Sequence, residues 1–385
     1  MRTIKPSAMV IGATAMLALP AAFAAERVQV VTSFSILADM VENVGGEHVE
    51  VTSLVGPDSD AHVFSPSPRD ARALADADLV VFNGLLFEGW MERLIDSSDY
   101  AGPLVTATDG IDKLDYHGHD HDHAHGHDDH DHGHDHDHDH DDDHGHDHGD
   151  DHGHDHGDDH GHDHGDDHGH DHGDDHGHGH DHDHEHGEHD PHAWQDLAMG
   201  QVYVGNILEG LIEADPDNEA AYRENAERYI NEMQATDDEI HQLIGEIPAS
   251  TSVITGHDSF GYFSNAYGLR FLSPVGLSTE AEPSAADMAR LIDVIREQHV
   301  KALFHENMTS PAIINQLSEE TGLPIAGTLY ADALAAEGEA STYLGMMRHN
   351  AQVLHDALAG HDDHGHDDDH GHDHDDDDDD HGHSH

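Results

Sequence analysis

Residues 79–84 read Leu79-Val80-Val81-Phe82-Asn83-Gly84, four consecutive apolar residues stopped by a turn pair. A strand with one wet face alternates apolar and polar residues. An unbroken apolar run this short instead fits a strand of a parallel sheet covered on both faces. Working outward, residues 28–32 (Val-Gln-Val-Val-Thr) form a β-rich run, residues 36–44 carry helical spacing, and Gly45-Gly46 ends it. Residues 49–55 read as a second strand. Residues 68–75 read as a helix opened by Pro68 behind Ser67, a suitable N-cap. A further helix starts at 90–95 and a short strand lies at 104–106.

The second half repeats the alternation. Residues 252–255 read as a strand and 259–267 as a helix stopped by Gly268. Ser284 with Asp287 three residues on resembles a capping box for a helix to 298, and 300–304 is again a strand. Ser310-Pro311 begins a helix that Gly322 ends, and 324–327 leads into Leu329-Tyr330. Between the halves, 217–247 keeps Tyr222, Ala226, Tyr229, Ile230, Met233, Ile240 and Ile244 at three-and-four spacing, closed by Pro248. A helix of that length suits a rigid spine. The expected architecture is α/β: two lobes with mainly parallel sheets joined by one long helix.

Two tracts stand apart. Residues 117–189 and 361–385 are nearly all His, Asp and Gly, and hold 40 of the 49 histidines and 39 of the 83 acidic residues. With so little apolar surface to offset ordering entropy, both are expected to be disordered without metal. Within the first, 144–178 repeats the unit His-Gly-Asp-Asp-His-Gly-His-Asp. The expected divisions are a signal peptide at 1–24, an N-terminal lobe at 25–116 continued at 190–216, the tract at 117–189, a linker helix at 217–247, a C-terminal lobe at 248–360 and the tail at 361–385.

Arg2 and Lys5, the apolar run 8–19 and Ala22-Phe23-Ala24 read as a secretory signal too short to span a bilayer. The sequence holds no cysteine, so neither a lipid anchor nor a thiolate metal site is expected, and the reading is a free periplasmic monomer. Outside tracts and signal, 44 acidic residues face 12 basic ones, which argues against nucleic acid as a partner.

Three of the nine histidines outside the tracts sit in turn-rich loops at element ends. They are His62 in Asp60-Ala61-His62-Val63-Phe64-Ser65-Pro66, His192 in Asp190-Pro191-His192-Ala193-Trp194, and His257 in Gly256-His257-Asp258. Neutral imidazoles bind borderline divalent metals, and three of them with one carboxylate make a tetrahedral set at roughly 2.0–2.2 Å from zinc. Asp332, after a strand-like run, is the expected fourth ligand, with Glu306 beside His305 as the rival. His48, His241, His299, His305, His349 and His355 are read as surface residues.

The segments 60–70 (DAHVFSPSPRD), 83–94 (NGLLFEGWMERL), 190–196 (DPHAWQD), 218–229 (NEAAYRENAERY) and 257–269 (HDSFGYFSNAYGL), in this order, resemble the metal-binding solute-binding proteins of zinc and manganese ABC importers. The resemblance covers nearly all of 28–358 apart from the tract. It implies a metal clamped between the two lobes with little hinge motion, and carries the ligand roles onto His62, His192, His257 and Asp332. Residues 329–334 with 341–350 look like the cysteine-free zinc branch, whereas many zinc relatives hold a disulfide in the second lobe. Manganese-binding relatives place a carboxylate where His257 stands, so three nitrogens and one oxygen favour zinc. The implied function is periplasmic capture of Zn2+ and delivery to an ABC permease, with a periplasmic zinc chaperone as a further partner. The tracts would gather zinc at weaker sites. A manganese importer component and a zinc-storing buffer are the alternatives, and a zinc hydrolase is disfavoured because a closed four-ligand site keeps no metal-bound water.

Overall fold

The computed structural model describes residues 27–116, 189–249, 251–298 and 300–360. The expected signal peptide, the tract up to residue 188, the tail and His299 lie outside the described residues. In the first lobe, strand β1 (Val28–Phe34) runs into helix α1 (Ser35–Gly45), followed by β2 (Val49–Val55), α2 (Pro68–Ala75), β3 (Leu79–Phe82), α3 (Met91–Ser98) and β4 (Leu104–Thr106). The four strands form one parallel sheet in the order β2-β1-β3-β4, with Val30 opposite both Val51 and Leu79. Leu79, Val80 and Val81 are fully buried, as their unbroken apolar run requires of a strand covered on both faces.

After the tract, α4 (Leu197–Ala214) and α5 (Glu219–Gly245) follow, and the second lobe repeats the plan. Its elements are β5 (Ser252–Ile254), α6 (Gly261–Tyr267), β6 (Arg270–Leu272), α7 (Ala285–Glu297), β7 (Ala302–Glu306), α8 (Ala312–Thr321), β8 (Ile325–Leu329) and α9 (Tyr343–Leu358). Its sheet is again parallel, β6-β5-β7-β8. The pleat divides neighbouring residues between two cores. Val253, Ala302 and Phe304 join the main core, while Ile254 and Leu303 face the outer helices through Met288, Leu291, Ile295 and Leu317.

The long helix is α5, whose buried stripe is Tyr222, Ala226, Tyr229, Met233, Thr236, Ile240 and Ile244. It packs on α1 and α4 from the first lobe and on α9 from the end of the chain. Asp39 of α1 accepts from the Tyr229 hydroxyl at 3.3 Å and the Tyr343 amide at 3.0 Å, and Arg348 reaches Glu239 at 2.9 Å. One hydrophobic cluster therefore runs from Val28 to Leu358 through both lobes without a break. A hinge between them would have to expose part of that cluster, at about 25 cal/mol for each Å² of apolar surface.

Two elements were not anticipated, and several boundaries shift by one or two residues. Helix α4 was not anticipated, because Gly200, Gly205 and Gly210 punctuate its sequence and glycine argues against a helix interior. Its Asp196 cap, accepting from the Ala198 amide at 2.8 Å, is the signal that marks its start. Strand β6 has three residues, too few for a pattern. Helix α3 begins one residue late, because Gly84, Leu85 and Leu86 hold φ of 91°, 53° and 61° and turn the chain before it.

The glycines of α4 generate a prediction. A Cβ on Gly210 would stand 2.3 Å from Val105 Cγ2, whereas one on Gly205 would meet nothing within 4 Å. Gly205→Ala should stabilise the metal-free protein by up to ~1 kcal/mol through helix propensity. In Gly210→Ala that gain is offset by ~1–3 kcal/mol of overpacking. Urea unfolding should give the midpoint order Gly205→Ala, wild type, Gly210→Ala; the reverse order would refute the packing of α4 on β4.

Candidate metal centre

His62 lies in the loop after β2, His257 in the loop after β5 and Asp332 in the loop after β8, all beyond carboxyl ends of parallel strands. His192 lies where the chain returns from the tract, just ahead of the turn that opens α4. All four are buried, at 5% exposure or less. One ligand atom from each falls within 4.8 Å of every other. The three imidazole rings form a near-equilateral triangle with centroid separations of 5.6, 5.7 and 5.4 Å. Asp332 caps it: its Oδ2 is 3.2 Å from His62 Nε2 and 3.0 Å from His257 Nε2, and its Oδ1 is 3.7 Å from His192 Nε2.

Among the described residues, none of these five atoms has a hydrogen-bond partner of acceptable geometry. A buried polar atom left unpaired costs ~1–3 kcal/mol, so five at one point are a strong demand for something that accepts lone pairs. The spacing fits a cation. A tetrahedron with ligand bonds of roughly 2.1 Å has edges of about 3.4 Å, within the range of the separations from Asp332.

Behind the centre, each remaining contact orients a ligand. Asp190 Oδ1 lies 2.7 Å from His192 Nδ1, and Glu306 Oε2 lies 2.6 Å from His257 Nδ1. A carboxylate on Nδ1 keeps the proton there and leaves Nε2 as a lone pair aimed inward. The other Glu306 oxygen accepts from the Gly256 and His257 amides at 3.0 and 3.2 Å. Glu306, the rival fourth ligand, thus stands behind His257 rather than beside the other ligands. The Asp332 loop is tied to the His192 segment, since Trp194 Nε1 and Gln195 Nε2 both donate to the Ala331 carbonyl at 2.9 Å. Asn83, at the end of β3, donates to the Pro191 carbonyl at 2.9 Å and accepts from Tyr203 at 2.7 Å. Its own amide is held by buried Glu88.

Aromatic rings wall the centre. Phe87 stands edge-on to His62 at 4.7 Å, and Trp194 lies 5.3 Å from His192. In these surroundings burial pushes the His62 imidazole below its ordinary pKa. Burial acts the same way on His257, but the carboxylates of Glu306 and Asp332 outweigh it and hold that imidazole well above its ordinary value. Burial would raise Asp332, yet the imidazoles of His257 and His192 hold it well below the usual carboxylate range.

Of the histidines read as surface residues, His241 is exposed, while His48, His305, His349 and His355 are half-buried. His349 Nε2 lies 3.2 Å from the Thr328 carbonyl with its ring on Tyr330, and His355 Nε2 lies 2.9 Å from Glu246. Sequence reading missed the orienting roles of Asp190, Asn83, Trp194 and Gln195, although all four stand in or beside turn motifs.

The family model described as zinc-uptake complex component A, periplasmic, matches residues 30–357. Among curated relatives, the manganese-binding lipoprotein MntA of Halalkalibacterium halodurans is 27% identical over 336 residues, covering 87% of this chain and 89% of that protein. The protein of the same name from Bacillus subtilis is 29% identical over 340 residues, covering 86% and 90%. The solved periplasmic zinc binding protein TroA of Treponema pallidum superposes with a TM-score of 0.67 at 24% identity, over 87% of this chain and all of that one (100%). A manganese-bound periplasmic metal binding protein of Candidatus Liberibacter asiaticus gives 0.62 at 23% identity, covering 86% and 99%. The fold is the two-lobed fold of these binding proteins, and the chain belongs to the family of the periplasmic component A of zinc-uptake complexes.

Proposed function

We propose that the chain captures one Zn2+ between its lobes, held by His62, His192, His257 and Asp332, and delivers it to the permease of an ABC importer. As a member of its family it is a metal-binding, substrate-binding component; the choice of zinc is the finer reading. The single observation that carries it is the convergence of three imidazole nitrogens and one carboxylate in a buried centre. Borderline nitrogen donors suit zinc, whereas manganese prefers more oxygen. A second reading has its own support. Both Asp332 oxygens face the centre, which allows a fifth bond, and curated relatives are named for manganese.

Three imidazoles and one carboxylate complete a tetrahedral set of protein ligands, which supports carriage rather than hydrolysis. Export by the 1–24 signal puts the protein in the periplasm as a monomer, where the permease and a zinc chaperone would be its partners. The His-rich tracts supply many additional imidazoles and carboxylates, and serve as weaker gathering sites tethered near the centre.

Cobalt(II) serves as the test ion for the ligand set, because four-coordinate cobalt absorbs visible light far more strongly than six-coordinate cobalt. Wild type should show the intense band; a weak six-coordinate spectrum would move the reading to manganese. Replacing His62, His192 or His257 by Ala should each abolish it and lower zinc affinity by more than about 100-fold, given that even orienting groups are worth roughly 10–100-fold. Asp332→Ala should weaken zinc less than these.

Glu306→Gln separates ligand from orienter. It should lower affinity by about 10–100-fold while leaving the cobalt band in place. Loss of the band in Glu306→Gln together with its retention in Asp332→Ala would make Glu306 the ligand.

Deleting residues 117–188 should reduce the number of zinc ions bound in a neutral-pH titration and leave the tight site nearly unchanged. Unchanged stoichiometry would make the tract a solubilising segment.

A further inference from the structure

Glu88 is a carboxylate with 5% exposure that takes no part in the proposed ligand set. Uncharged donors hold it. Ser33 Oγ donates to one of its oxygens at 2.5 Å and the Asn83 amide to the same oxygen at 2.7 Å, while the Gly84 amide reaches the other at 3.2 Å. Burial is the largest influence on this group and pushes its carboxyl above the ordinary range, with these hydrogen bonds as the counterweight. A carboxylate is costly to bury, so its presence beside the centre calls for a reason.

The reason lies in the turn after β3. Gly84, Leu85 and Leu86 hold φ of 91°, 53° and 61°, a region open to glycine but strained for leucine. Two leucines in succession there persist only where the surroundings over-determine them. Glu88 supplies that determination. Its carboxylate gathers the two amides that open the turn, the Phe87 amide donates back to the Gly84 carbonyl at 3.1 Å, and Ser33 ties the whole to β1. The turn in turn meets two of the proposed ligands. At its start the Asn83 side chain donates at 2.9 Å to the carbonyl of Pro191, the residue before His192. At its end the Phe87 ring stands 4.7 Å from the His62 ring and 5.8 Å from that of His192. Leu86 between them is turned outward and 57% exposed.

We propose that Glu88 is a positioning residue for the metal centre: it braces the strained turn 84–86, and through Asn83 and Phe87 the turn sets the places of His62 and His192. The proposal rests on the metal-carrying reading of the same centre. A brace differs from a ligand in its signature: loosening it weakens the metal without changing the number or kind of donor atoms, and relief of the backbone strain makes it dispensable.

Glu88→Gln keeps the size and one acceptor oxygen, but sets an NH2 group against an amide that the carboxylate had accepted from, which unfastens the turn. Zinc affinity is read in the full-length protein by competition with a chelator, and urea unfolding of the metal-free protein gives stability separately. The variant should bind zinc about three- to tenfold more weakly, the factor that one hydrogen bond commands, and keep the four-coordinate cobalt band. Glycine accepts the φ of 61° at position 86 without strain, so Leu86→Gly added to Glu88→Gln should recover most of the lost affinity. A lowered urea midpoint with zinc affinity equal to wild type would make Glu88 merely structural and overturn the proposal. An affinity loss that Leu86→Gly does not relieve would overturn it too. Should Glu88→Gln fail to fold, Ser33→Ala removes one donor from the same carboxylate and carries the same expectations and refutations. Wild type without a tightly held zinc would sink the metal-carrying reading and this one with it, whereas the other failures sink this one alone.

Discussion

Five polar atoms with no hydrogen bond of acceptable geometry among the described residues, the Nε2 atoms of His62, His192 and His257 and the two oxygens of Asp332, meet at one buried point. The surrounding architecture follows from keeping them there. Left alone, imidazoles and a carboxylate in an apolar interior would turn toward backbone donors or water. They do not, because the other ring nitrogens of His192 and His257 are already engaged by Asp190 and Glu306, and because the Asp332 loop is held through the Ala331 carbonyl. The fold spends its stability on holding an arrangement that is unfavourable until a cation arrives. That is the physical meaning of a binding site organised in advance.

Charge pairing explains how the interior holds so many ionisable groups. Asp190, Glu306 and Asp332 are all buried, and all face imidazoles. Burial works against charge on the His257 imidazole, and the carboxylates of Glu306 and Asp332 outweigh it. Phe87 and Trp194 pack against His62 and His192 beside this cluster.

Much of this was legible in the sequence. The apolar run at 79–82, the Pro68 start and the Ser284–Asp287 capping box each state a local rule that the fold obeys. The four residues expected to converge do so because each lies in a loop beyond a strand or ahead of a helix, where side chains are free to point at a ligand. What local pattern could not supply is anything decided by contact across the chain. Helix α4 buries Leu197, Gly200, Tyr203, Val204, Ile207, Gly210 and Leu211 along one face, but the glycines on and beside that stripe argue locally against a helix. The distinction between Asp332 and Glu306 depends on which carboxylate stands behind His257 and which stands before it. That is a matter of three-dimensional order, for which neighbouring residues carry no sign.

A carrier for an importer must solve a conflict between grip and release, and the shared core sharpens it. Lobes joined by a continuous hydrophobic cluster and three packed helices are poorly suited to opening widely, since every exposed Å² is penalised. Enclosure by wholesale lobe closure is therefore an expensive route to exchange, and a local one is cheaper. The loop bearing His62 is itself tied across the lobes, with the Asp58 amide donating to the Leu334 carbonyl and the Asp58 carboxylate accepting from Asn307 Nδ2 and the Ala336 amide. Local rearrangement of loops, which leaves the shared core covered, costs less than movement of whole lobes.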